Sequence, residues 1–163
     1  MMLKESQNRI KSMALIHEKL YQSDNITNID FTEYVKTLVR HVYASYGSSL
    51  EQIGLTMTVV RVNFDIDTAI PCGLIINELV SNSLKHAFPD GVGTLAIDMR
   101  EPSEGTCVLV IGDNGVGMPD ELDIENIGSL GLQLVKGLVE DQLDGELEMH
   151  SEHGTTWTIR FQK

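Results

Sequence analysis

Positive charge is scarce in this chain: 12 Lys and Arg stand against 24 Asp and Glu in 163 residues, for a formal net charge of −12. A nucleic-acid surface needs clustered Lys and Arg to displace counterions, so nucleic acid is not an expected partner. The same deficit means that any bound phosphate must rely on a metal, on backbone amides and on a few local cations. Long apolar runs are missing as well; the longest are of strand length, far short of a bilayer span. The start, Met1-Met2-Leu3-Lys4-Glu5, lacks the apolar core of a signal peptide. The expected location is cytoplasmic, which leaves room for a membrane-attached parent protein. Cysteine is limited to Cys72 and Cys107, both in apolar settings without metal-ligand spacing, which reads as two buried free thiols in a reducing compartment. Only four prolines, with 42% hydrophobic residues, argue against wholesale disorder. The length suits one domain with a short appendage.

Several catalytic signatures are also absent. There is no Gly-x-x-x-x-Gly-Lys-Ser/Thr, so a P-loop is excluded. Neither His-Arg-Asp nor Asp-Phe-Gly occurs. No Ser/His/Asp or Cys/His arrangement points to acyl transfer, and His150 with His153 is too sparse for zinc.

What is present alternates between helical and strand periods. Leu3, Ile10 and His17 fall seven apart, as do Ser6, Met13 and Leu20, a heptad-like seam on a helix that ends near Tyr21-Gln22-Ser23-Asp24-Asn25. So short a seam needs a partner helix. Asp30 is the expected N-cap of a second helix, with Glu33 three residues on as in a capping box. Phe31, Val35, Leu38, Val42 and Tyr46 then repeat at helical spacing. Strands are expected at Leu55 to Val59 and in a run ending near Phe64-Asp65-Ile66. A third helix opens around Thr68 to Pro71, with proline in its first turn, and stops at Pro89-Asp90-Gly91. Leu95 to Met99 and Val108 to Ile111 read as neighbouring strands. Leu130 to Leu143 reads as a helix, and Glu146 to His150 with Thr156 to Phe161 as a hairpin. This order predicts an α+β fold, a two-layer α/β sandwich with a mixed sheet, helices on one face and an added N-terminal helix.

Four short segments carry chemistry. In Asn77-Glu78-Leu79-Val80-Ser81-Asn82-Ser83-Leu84-Lys85-His86, Glu78 and Asn82 are a helical turn apart, and Lys85 sits at the edge of their face. A carboxylate, an amide oxygen and an ammonium on one wall suit Mg²⁺ with a triphosphate; a solvated helix face is the plain alternative. Asp113-Asn114-Gly115-Val116-Gly117-Met118-Pro119 follows an apolar strand, and its glycines let backbone approach a flat ligand. A tight turn is the alternative, although a turn does not need the second glycine. Gly128-Ser129-Leu130-Gly131-Leu132 opens a helix whose first amides can cradle phosphate, and residues 120–127 before it read as a short acidic lid. Gly154-Thr155-Thr156 is, alone, a hairpin entry.

In this order the four segments resemble the N box and the three glycine boxes of the ATPase superfamily of gyrases, mismatch-repair ATPases, heat-shock chaperones and sensor histidine kinases. Among these, the Glu-opening N box, its Lys85-His86-Ala87-Phe88 end and the bare Ser-Leu-Gly-Leu resemble sensor histidine kinases of the HWE-related group. So does Arg9-Ile10-Lys11-Ser12-Met13-Ala14-Leu15-Ile16-His17-Glu18-Lys19-Leu20-Tyr21, which in those kinases belongs to the second helix of a dimerisation hairpin. The resemblance implies the Bergerat-type histidine-kinase ATPase fold, with ATP and Mg²⁺ as ligands. It implies that Asn82 holds the metal and that Glu78 polarises a water or the accepting group. Asp113 would select adenine, with Gly115 and Gly117 beside it. Lys85 and the amides of Leu130, Gly131 and Leu132 would hold phosphate, while His86 and Thr155 shape the pocket. Residues 1–25 would be the remnant of the hairpin helix and 26–163 the catalytic ATP-binding domain.

The family's phospho-accepting histidine lies on the first hairpin helix, which the resemblance places before Met1. His17-Glu18 is a tempting substitute, but His17 shares the seam with Ile10, Met13 and Leu20, which fits a packed or interface histidine better. The implied partners are a phospho-accepting histidine segment, a response-regulator receiver domain and a second copy through the N-terminal helix. Two other functions stay open on sequence: an ATP-gated binding module without kinase activity, and a gyrase-like or mismatch-repair-like hydrolase in which Glu78 activates water.

Overall fold

A computed structural model of the chain describes residues 10, 14, 17–18, 27–46, 52–118 and 129–163. The seam positions Leu3, Ser6, Met13 and Leu20, the helix end near Tyr21, Pro119, the lid at 120–127 and Gly128 lie outside them. Ile10, Ala14, His17 and Glu18 are helical and exposed, Ile10 at 65%.

Asp30 ends β1 (Ile29–Asp30) and caps α1 (Phe31–Ser45): its Oδ1 accepts the Thr32 and Glu33 amides at 3.1 and 3.3 Å. The other half of the expected capping box is diverted, because Glu33 pairs with Lys36 at 3.0 Å. After β2 (Gln52–Val59), the short β3 (Asn63–Phe64) pairs antiparallel with β1. This pairing brings Phe64 within 4.7 Å of Phe31, ring centroid to centroid.

The next helix, α2 (Ile66–His86), starts earlier than its sequence suggested, because Asp65 accepts the Thr68 amide at 2.9 Å and caps it. Ile66 is thus helical, not the end of a strand. Pro71 falls in the second turn, where it removes the N–H that would reach the Asp67 carbonyl. The helix is buried along much of its length, Ala69 and Ile75 to Val80 included.

Five strands form the main sheet in the order β2-β4-β5-β7-β6, with β4 at Val92–Ser103, β5 at Thr106–Asp113, β6 at Glu146–His150 and β7 at Thr156–Gln162. β2 runs parallel to β4, and every other pairing in this sheet is antiparallel. Period-two side-chain alternation decides which face is buried. Ile97, Ile111 and Trp157 align across three strands, as do Met99, Leu109 and Ile159. All six are buried and belong to one core with Phe31, Leu38, Ile75 and Leu79 from α1 and α2. The alternate residues of β2, Thr56 and Thr58, are exposed. The expected mixed-sheet α+β sandwich is what forms.

The last helix, α3 (Leu130–Gly137), does not continue as one α-helix to Leu143. It widens into a π-helical turn at Leu138–Gln142, closed by the Leu143 amide on the Leu138 carbonyl at 3.1 Å. Leu138, Val139 and Leu143 are all buried through this turn. Cys72 and Cys107 are buried and unbridged. Burial pushes the Cys72 thiol well above its ordinary range.

Candidate functional site

The site forms where β5 ends. Asp113 is 8% exposed and is its last residue. The Asp113 amide donates to the Thr155 carbonyl at 2.9 Å. Its carboxylate accepts three hydrogen bonds. Oδ1 takes the amides of Gly115 at 3.1 Å and Thr155 at 3.2 Å, while Oδ2 takes the Ser83 hydroxyl at 2.7 Å. One side chain thus ties together α2, the glycine loop and the β6–β7 connection. A carboxylate offers about four acceptor sites, so among the described residues one stays open, on Oδ2.

The glycine loop is held on several sides. The Asn114 amide donates to the Thr94 carbonyl at 3.2 Å, and the Asn114 side chain accepts the Thr94 amide at 2.6 Å. Val116 donates to the Ala87 carbonyl at 2.9 Å. A Cβ on Gly115 would collide with that same carbonyl, so only glycine lets the loop pass the end of α2. Gly117 has φ +77, and the next amide, of Met118, donates to Ser151 Oγ at 2.6 Å. Across the loop Gly154 has φ +91, with the Asp113 carbonyl where its Cβ would be.

On α2, Glu78 is buried at 3% beside buried Asn77, whose side-chain amide reaches Glu78 Oε1 at 3.5 Å. Asn82 is half-buried one turn on, and Lys85 and His86 are exposed in the last turn. At the start of α3, Ser129 Oγ accepts the Leu132 amide at 3.3 Å, so the helix carries its own cap. Gly131 and Leu132 are buried and Leu130 is 71% exposed. α3 packs against α2, which sets these two segments side by side. Thr155 is buried at 6%.

Asp113, Gly115 and Thr155 are therefore joined by direct hydrogen bonds. Asn82, Lys85 and His86 follow on the helix that also delivers Ser83. Three participants escaped the sequence reading. Ser83 carried a signal, a hydroxyl on the helix face of apolar Leu79, Val80 and Ala87 within the Asn82 motif. Asn114 stood inside a quoted motif with no role given to it. Ser151 carried no signal, because its partner lies 33 residues away.

Among the described residues, no group of three or more His, Cys, Asp and Glu is arranged to hold a metal ion. The donors on α2 are hard oxygens, one amide at Asn82 and one carboxylate at Glu78. That set fits Mg²⁺, which takes one or two protein oxygens and completes its octahedron with phosphate and water.

Known proteins resemble this chain in sequence and fold. Residues 68–163 match the family described as histidine kinase-, DNA gyrase B-, and HSP90-like ATPase, and residues 1–46 match a histidine kinase family. The sensor histidine kinase PdtaS of Mycobacterium tuberculosis is 32% identical over 164 residues, covering 96% of this chain and 31% of the relative. Blue-light-activated histidine kinase 2 of Erythrobacter litoralis is 33% identical over 99 residues, covering 60% of this chain and 28% of the relative. The chain thus spans about a third of the length of these relatives. Among solved structures, the histidine kinase domain of a blue-light activated histidine kinase from Erythrobacter litoralis superposes with a TM-score of 0.85 at 24% identity. That match covers 96% of this chain and 73% of the other. The chain belongs to the histidine kinase-, DNA gyrase B- and HSP90-like ATPase family, on its histidine kinase branch.

Proposed function

We propose that this chain is the ATP-binding catalytic portion of a two-component sensor histidine kinase, and that residues 26–163 form its catalytic domain. The observation that carries the reading is Asp113, a buried carboxylate fixed by three donors with one acceptor site left over. That site suits the exocyclic amine of adenine. Glycine backbone at Gly115 and Gly117 leaves room for the flat ring.

In this reading Asn82 holds Mg²⁺, whose charge offsets that of the phosphates. Lys85 and the opening amides of α3, at Leu130, Gly131 and Leu132, hold the phosphates at a helix N-terminus. The Leu132 amide exchanges its bond to Ser129 in doing so. His86 and Thr155 shape the pocket, and Glu78 polarises the accepting group. The chain's contribution to transfer is positioning and charge neutralisation. An imidazole nitrogen on a histidine segment supplied from elsewhere attacks the γ-phosphorus, and the bond to the β-phosphate oxygen breaks to release ADP. The phosphoryl group then passes to a receiver-domain aspartate of a response regulator.

Residues 1–25 are assigned to the second helix of a dimerisation hairpin, whose exposed Ile10 and His17 suit a second copy. α1 packs on α2, which supports counting it with the catalytic domain, although the histidine kinase match runs through it to residue 46. A cytoplasmic location fits this role, and among the described residues no helix is long and apolar enough to cross a membrane.

The test is calorimetric titration with a non-hydrolysable ATP analogue in Mg²⁺, followed by ATP and a separately supplied histidine hairpin. Saturable binding and labelling of the hairpin are expected. Binding without labelling would favour an ATP-gated binding module. Steady phosphate release dependent on Glu78 would favour a hydrolase.

A further inference from the structure

Of the three donors on Asp113, two are backbone amides, and both go to Oδ1. Oδ2, the oxygen with an acceptor site to spare, is held by the Ser83 hydroxyl at 2.7 Å. Both side chains are buried, Ser83 at 6% and Asp113 at 8%. Carboxylate torsions are broad, so the two amides fix where Oδ1 sits and leave the carboxylate plane free to tilt. Ser83 removes that freedom. It stands inside α2, where helical backbone limits χ1, and its bond is of the charge-assisted kind, about twice as strong as a neutral one.

We infer that Ser83 is a positioning residue that sets the purine specificity of this site. Its one hydroxyl proton is committed to Asp113 Oδ2. Toward a ligand, therefore, both Ser83 Oγ and Asp113 Oδ2 present lone pairs. That wall accepts hydrogen bonds and donates none. A 6-amino purine meets it with an N–H. A 6-oxo purine meets it with a carbonyl oxygen, which finds no donor and faces a carboxylate. Without Ser83 the plane tilts, water takes the vacated place on Oδ2, and that water can donate to a 6-oxo group. Discrimination then narrows from both sides. The inference rests on the nucleotide reading of the site given above.

The test titrates the full 163-residue chain with Mg²⁺-ADP and with Mg²⁺-inosine diphosphate, which carries oxygen where adenine carries its amine, together with a proton on N1. Wild type, Ser83→Ala, Ser83→Thr and Asp113→Asn are compared by the ratio of the two dissociation constants, a quantity that does not depend on the active fraction. Ser83→Ala is expected to lower the preference for ADP roughly tenfold, equivalent to about 1.4 kcal/mol, and Ser83→Thr to restore it. If the alanine variant does not fold, Ser83→Cys carries the test: it keeps the size and offers only a weak donor, and a fall in the ratio supports the assignment. A ratio that stays at the wild-type value in the alanine or cysteine variant, while Asp113→Asn loses ADP, overturns the role of Ser83 and leaves the pocket intact. No binding of ADP by the wild type, or undiminished binding by Asp113→Asn, overturns both.

Discussion

Replacing Asp113 by asparagine keeps the shape of the side chain and changes what one terminal atom can do. The asparagine oxygen can still accept the Gly115 and Thr155 amides, and the Ser83 hydroxyl can turn to accept from the new NH₂. The variant is therefore expected to melt within about 1 kcal/mol of the parent while losing at least about tenfold in nucleotide affinity. Calorimetry paired with thermal melting separates the two effects. Tyr34 presents the opposite case. Its hydroxyl is buried with no hydrogen-bond partner among the described residues, and burial holds its pKa far above the ordinary tyrosine range. Tyr34→Phe removes an unpaired polar group and is expected to leave stability unchanged or raise it by about 1 kcal/mol, read from urea unfolding midpoints. Gly154→Ala would force φ +91 on a side-chain residue and set its Cβ on the Asp113 carbonyl. A loss of at least about 2 kcal/mol in the same unfolding experiment is expected. At this scale the sequence was legible where chemistry repeats locally, as in the glycines around Asp113. It was not legible where a bond spans 30 residues, as from Ser83 to Asp113, because no local spacing encodes a contact made by folding.

The β4–β5 turn and the end of β7 are joined by one charged contact. Lys163 Nζ lies 2.7 Å from Glu101 Oε1, and Glu101 also accepts the Gly105 amide at 3.0 Å. The hydrogen bond from Lys163, then that from Gly105, holds the Glu101 carboxyl below its ordinary pKa. The bond to Glu101 likewise holds the Lys163 ammonium above its ordinary pKa. For Glu101 the stabilisation is complete above the ordinary glutamate pKa and fades as pH falls through the lowered folded-state value. For Lys163 it is complete below the ordinary lysine pKa and fades as pH rises through the raised one. Glu101→Gln is expected to lower the unfolding midpoint slightly at neutral pH and to converge with the parent in acid. Urea titrations across pH check this, and added salt should shrink the difference. Elements were legible in proportion to their local signals. The cap at Asp30, the Gly91 turn and the closing hairpin stood where their residues said. The start of α2 was misread because Pro71 looked like a first-turn proline while Asp65, the true cap, was assigned to a strand. The β1–β3 pairing joins two-residue strands that carry no period at all.

Over the whole molecule, acidic residues outnumber basic ones by 24 to 12, so a free triphosphate approaches against repulsion. Nucleotide affinity is expected to fall by about tenfold or more when Mg²⁺ is chelated, measured by titration with and without EDTA; equal affinities would mean that backbone and lysine contacts suffice. The arrangement of the sheet has a consequence for how the chain is made. Among the described residues β2 is an edge strand, and its one sheet neighbour, β4, comes later in the sequence and pairs with it in parallel. Parallel partners close only through a long crossover, here residues 60–91. During synthesis, Gln52–Val59 therefore leaves the ribosome well before its template. It is an eight-residue strand with no charge and no proline, the pattern most prone to pair with another chain. In the nascent chain this strand therefore waits without its parallel partner until β4 arrives.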